Sequence, residues 1–183
     1  MMLTSQTERR HQFRLQKVIS PNTELGEVLT IGNTPIEEDY LVIMVDIGID
    51  QVFMINLDTT ARYPIRVPYT ELLQCIDDES VLLADMSTDP RLLLDEELLS
   101  DGFKKKARDR LLEILPLIQD LESVLRNGYG DNIFESVVQQ TGRSKQYIYD
   151  TFYSYLRHGG KKNCLGLPQG KNANHIAKKR EIR

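Results

Sequence analysis

Tryptophan is absent from the 183 residues, cysteine occurs twice and histidine three times. Cys75 and Cys164 form no CxxC pair and are too few for a disulfide framework, which points to free thiols in a reducing, cytoplasmic setting. His11, His158 and His175 stand at no metal-ligand spacing to these cysteines, so no metal site is expected. Long apolar runs are missing as well. The stretch Tyr40 to Val45 is closed off by Asp39 and Asp46, far short of the roughly 20 apolar residues of a membrane-spanning helix. Met1 to Lys17 contains Arg9, Arg10 and Arg14 but no apolar segment, unlike a secretory signal. Neither a phosphate-cradling glycine loop nor a nucleophile elbow occurs. No catalytic residue, cofactor or membrane partner is therefore expected, and the chain by itself reads as a non-enzyme.

Hydrophobic residues at 40% and charged residues at 27% are ordinary values for a globular chain. The net charge of −4 conceals an uneven distribution. Residues 1–100 hold 7 Lys and Arg against 18 Asp and Glu, whereas residues 101–183 hold 16 against 9. From Gln139 onward there are 10 basic residues and two acidic ones, Asp150 and Glu181. Such an excess is the electrostatic footprint of a nucleic-acid partner, confined to the second half.

Hydrophobic periodicity divides the chain. Residues 1–24 read as a polar, disordered arm, with at most a short strand around Phe13 and Leu15. Residues 25–100 read as a small β-rich domain with an acidic linker. Glu27 to Ile31 runs into the turn pair Gly32-Asn33, and Tyr40 to Val45 pairs through a turn at Asp46 to Asp50 with Gln51 to Leu57. Pro64 and Pro68 confine Ile65 to Val67 to a sheet edge. A helix near Thr70 to Ile76 and a last strand near Ser80 to Asp85 complete a small barrel or rolled sheet. After the acidic connection Asp85 to Ser100 the period changes to that of a helix: Leu111, Ile114, Leu115, Ile118, Leu121 and Leu125 recur at three- and four-residue steps. Pro116 inside this stripe should kink or break it. The fold class expected is α+β: a barrel-like β domain, an all-α helix-turn-helix domain over 101–160, and a basic linker or arm over 161–183.

The tightest local signal lies between residues 131 and 157. Asp131 or Asn132 can cap a helix through Phe134, Val137 and Val138 to about Gln140, and Thr141-Gly142-Arg143-Ser144 forms a turn with glycine where a positive φ costs little. Ser144 can accept from the amide of Tyr147 and start a helix from Lys145 to Arg157, which turns Ile148, Phe152 and Tyr155 inward with Tyr149 and Leu156 on its shoulders. Its other side presents Lys145, Gln146, Tyr147, Asp150, Ser154 and Arg157, the arrangement of a recognition helix that enters the major groove. Lysine donates to guanine, glutamine pairs with adenine in a bidentate manner, and Asp150 can accept from cytosine or form a local pair with Lys145 or Arg157. The amides at the helix start can also bind a phosphate, and Arg143 and Ser144 beside them are further expected DNA contacts. Of the aromatic residues in this helix only Tyr147 is expected to touch DNA. Lys161, Lys162 and Lys171 extend the basic surface along phosphates or a minor groove.

Several of these residues carry a family likeness. Gly142-Arg143-Ser144-Lys145-Gln146-Tyr147-Ile148-Tyr149, then Tyr155-Leu156-Arg157-His158-Gly159-Gly160 and Asn163-Cys164-Leu165, resemble the TnsB transposases, strand-transfer subunits of heteromeric cut-and-paste transposons related to the phage Mu transposase. Cys164 replaces that family's alanine and Leu156 its usual tryptophan. Leu112 to Ile118 resembles the Ile-Leu-Pro-Ile-Ile segment that precedes the motif, and Gly26 to Leu29 with Val67 to Ile76 resembles, more loosely, the short β domain. The resemblance implies an N-terminal region that binds duplex DNA at transposon-end repeats in a bacterial, nucleoid-associated setting. It also implies a downstream ribonuclease-H-like domain with a magnesium-binding Asp-Asp-Glu triad. That domain is expected to be absent, since the chain ends at Arg183 before any second large core. The runs Glu37-Glu38-Asp39, Asp77-Asp78-Glu79 and Asp95-Glu96-Glu97 are consecutive and loop-borne, unlike carboxylates converging on two metals.

Two other readings compete. A helix-turn-helix transcription regulator with an N-terminal sensor or dimerisation domain would bind a palindrome as a dimer, although no dimer seam is visible and a monomer is expected. Alternatively the acidic β half docks a basic partner, such as another transposition protein or transposase subunit. Arg62 and Arg66 are its local basic spots for phosphates.

Overall fold

The computed structural model describes residues 17–22, 29–58, 63–86, 88–128 and 132–167, which fall into two compact units divided between residues 87 and 88. The architecture is mixed α+β.

The first unit contains β1 (Lys17–Pro21), β2 (Leu29–Ile31), β3 (Thr34–Ile36), β4 (Tyr40–Asp46), β5 (Gln51–Asn56), β6 (Ile65–Pro68), α1 (Tyr69–Asp77) and β7 (Val81–Asp85). Five strands form an antiparallel sheet in the order β6-β5-β4-β1-β7, and β2 and β3 form a separate hairpin. Among the described residues no pairing joins β6 to β7, so the sheet is open and there is no closed barrel. The proline-flanked strand β6 lies at an edge, as its composition predicts. The polar arm expected over 1–24 is corrected from Lys17 onward: β1 lies between β4 and β7, with Val18 and Ile19 buried. Phe13 and Leu15 lie outside the described residues. Ile19, Val42, Met54 and Val67 meet Ile31 and Ile36 of the hairpin and Leu72 of α1 in one core. The register shifts between Val42 and Met44, a bulge that lets β4 bend across its partner.

The turn between β4 and β5 also starts α1. Its left-handed residue is Asp50, at φ 52°, whereas Gly48 has an ordinary φ. Pro68 precedes α1 and offers no side-chain cap. The Asp50 carboxylate substitutes, accepting from Thr70 N at 2.9 Å and from Thr70 Oγ1 at 2.8 Å. Gly32 has a φ of 60°, and a Cβ there would lie 3.0 Å from Pro68 Cδ, so the hairpin turn requires glycine.

The second unit contains α2 (Asp101–Gln119), α3 (Leu121–Asn127), α4 (Asn132–Thr141) and α5 (Lys145–Arg157), with 3-10 turns at Pro90–Leu92, Glu96–Leu98 and Lys162–Gly166. Ser100 caps α2 by accepting from Phe103 N. The helix runs through Pro116 and breaks four residues later at Asp120, with φ −117° and ψ 38°. Ile114 and Leu117 of α2, Val124 and Leu125 of α3, Phe134 and Val137 of α4, and Ile148 and Phe152 of α5 are all buried.

Two boundaries differ from the sequence expectation. The acidic stretch is not a linker, because Leu92 is buried and the carbonyls of Leu92 and Leu94 each accept from Asn163 Nδ2 at 3.2 Å. Residues 161–167 are not the start of an extended arm, because Asn163, Cys164, Leu165 and Gly166 are buried in a 3-10 turn. Arg110 Nη1 of α2 donates to the carbonyls of Leu165 at 2.8 Å and Leu167 at 3.2 Å. The Phe103 ring packs so close to Gly166 that a Cβ there would lie 2.4 Å from it. The buried side chains of Cys164 and Leu165 and the satisfied carbonyls outweigh the basic composition that suggested an arm.

Candidate nucleic-acid interface

The chain between α4 and α5 is three residues long, Gly142 to Ser144. Gly142 adopts a φ of 65° with nothing within 4 Å of the position of a Cβ, so its role is conformational. Ser144 caps α5 as its sequence predicts, its hydroxyl accepting from Tyr147 N at 3.2 Å. Behind the cap the inner face of α5 includes Thr151 as well as the aromatic and shoulder residues. Tyr149, Thr151, Tyr153 and Leu156 are buried beside Ile148 and Phe152, while Tyr155 is only half-buried. The Tyr149 ring lies 4.4 Å from that of Phe134, which packs α5 against α4, and is stacked at 6.0 Å on Tyr153 of the same helix.

The outer side of α5 is polar. Lys145, Gln146 and Asp150 are exposed, and Ser154 and Arg157 continue the same stripe half-buried. Gln146 Nε2 donates to Asp150 Oδ1 at 2.7 Å, so the local pair of Asp150 is with Gln146 and not with Lys145. Lys145 instead forms an ion pair with Glu135 of α4, which raises its pKa, and its ammonium lies 5.9 Å from the Tyr149 ring. These contacts are solvent-exposed and weak enough to exchange for a ligand.

Glu113 of α2 holds the other flank. One carboxylate oxygen accepts from Arg143 Nε at 2.8 Å and the other from the Tyr147 hydroxyl at 2.8 Å. The Arg143 guanidinium also lies over the Tyr147 ring at 5.0 Å. Burial, then the hydrogen bond to Glu113, pushes the Tyr147 phenol above its usual pKa. The hydroxyl of Tyr147 is thus tied to α2.

The remaining predicted residues are scattered. Lys161 is half-buried at the turn after α5, and Lys162 is ion-paired with Glu96. Lys171 and Arg62 lie outside the described residues. Sequence reasoning passed over Lys105, Lys106, Arg110 and Glu113, although the run Lys104-Lys105-Lys106 with Arg108 and Arg110 was a visible basic signal. Among the described residues no group of His, Cys, Asp and Glu is placed to hold a metal ion, and no helix is long and apolar enough to cross a membrane. The chain matches no protein-family model and no curated protein.

Proposed function

We propose that the helical unit binds duplex DNA, with α4 and α5 acting as a helix-turn-helix and the start of α5 as the base-reading segment. The observation that carries this reading is the division of α5. Its capped N-terminal turn leaves Lys145, Gln146 and Asp150 exposed, while the opposite side is sealed by Ile148 and Phe152 at 0% exposure. A helix that enters a groove needs this combination of a rigid back and a polar front. Lys145 and Gln146 are the base readers, with Asp150 orienting Gln146 through the hydrogen bond between them. Ser154 and Arg157 lie further along the same stripe. Lys161 and Lys162 contribute phosphate contacts, Lys162 after release from Glu96.

The resemblance to TnsB transposases supports transposon-end repeats as the target, with the chain serving as a binding module without chemistry of its own and binding as a monomer. Replacing Gln146 by alanine should cost roughly 1–3 kcal/mol at one base position and relax preference there. Lys145→Ala should relax a neighbouring position. Base preference measured on duplex panels decides the matter: if both variants keep the parent's preference, α5 is not the reader.

A further inference from the structure

A cleft of about 370 Å³ opens between the first half of α2 and the start of α5. Four cations line it, Lys105, Lys106, Arg110 and Arg143, against two acids, Asp109 and Glu113. From this arrangement, and resting on the DNA reading above, we infer that the cleft is a seat for one backbone phosphodiester of the duplex.

The parts of the cleft have separable duties. Arg110 is fixed by the carbonyls of Leu165 and Leu167, and Glu113 is fixed by Arg143 and Tyr147, so the walls are held before any ligand arrives. Lys105 and Lys106 are different: among the described residues neither has an ion-pair partner, and Lys105 is exposed. Their neighbour Lys104 is paired with Asp101 at 3.2 Å, outside the cleft. With four positive and two negative groups the cleft carries an excess of two positive charges, which favours an anion. Its position selects the source of that anion. Arg143 and Tyr147 line the cleft and also belong to the turn and first helical turn of α5. A helix seated in the major groove has phosphates along both flanks, and the contacts made there set its register without reading sequence. The cleft lies on one such flank, beside the polar stripe.

The test compares the full chain with two double variants, each removing two charges from α2. Lys105→Gln/Lys106→Gln alters the cleft, and Lys104→Gln/Arg108→Gln alters the same helix outside it. Affinity for a selected duplex and for a scrambled one is titrated by fluorescence anisotropy over a range of salt. The cleft variant should lower the slope of log affinity against log salt by about 0.9, the value for one phosphate, with base preference unchanged and a smaller effect in the control. An unchanged slope in the cleft variant, or an equal loss in the control, overturns the proposal and leaves the reading helix standing. Salt-dependent binding without base preference that is lost in the cleft variant supports the phosphate seat and removes the reading helix. A chain that binds no duplex at low salt overturns both.

Discussion

Cys164 shows at the scale of one residue what burial does to chemistry. Its thiol is enclosed by the second unit, and burial pushes its pKa from 9.0 up to about 12. A thiolate is disfavoured there, so the group is a small apolar filler rather than a nucleophile. Its folded pKa lies above its unfolded value, so the stability it contributes is whole below pH 9 and is lost as pH climbs through about 12. Tyr147 and Tyr155, both raised by burial, act in the same direction at alkaline pH. Urea titrations from pH 8 to 12 should therefore show falling stability, and Cys164→Ala should make that fall shallower. An equally steep fall in the variant would show that the thiol is not held neutral by the fold. The expectation of free thiols agrees with both cysteines being unpaired in the structure.

At the scale of elements, α5 and the 3-10 turn at Lys162–Gly166 differ in how far they could be read from sequence. The limits of α5 were legible because its signals are local: a serine cap, a glycine before it, and apolar residues at helical steps. The 3-10 turn was not, because Lys161-Lys162-Asn163 reads as polar chain, and contacts from other segments, among them Phe103, Arg110 and Leu92, make it core. Strand β1 was missed for a like reason. Two apolar residues between Lys17 and Ser20 give no periodic signal, and its place comes from pairing with β4 and β7. The same holds for the tie of Tyr147 to Glu113, which spans 34 positions. If the turn belongs to the core, Leu165, at 0% exposure, should behave as a core residue. Leu165→Ala should destabilise the helical unit by about 2–5 kcal/mol in denaturant titration. A loss well below 1 kcal/mol would return residues 161–167 to the status of an appendage.

At the scale of the whole molecule the two parts of the sequence carry opposite charge. Moving the boundary from residue 100 to residue 87 leaves 6 Lys and Arg against 14 Asp and Glu in residues 1–87, and 17 against 13 in residues 88–183. The contrast is shallower than the sequence division suggested, because Asp89, Asp95, Glu96 and Glu97 belong with the helices. Affinity for DNA should accordingly depend on where the cations stand, at the start of α5 and along α2, more than on the charge of the unit as a whole.

The most direct test of the central claim is a binding selection from a randomised duplex library, with the enriched sequences then titrated across salt. A DNA-reading helical unit predicts a non-palindromic enriched motif whose affinity falls steeply as salt rises. Recovery of no motif, with only weak binding equal for all duplexes, would contradict it.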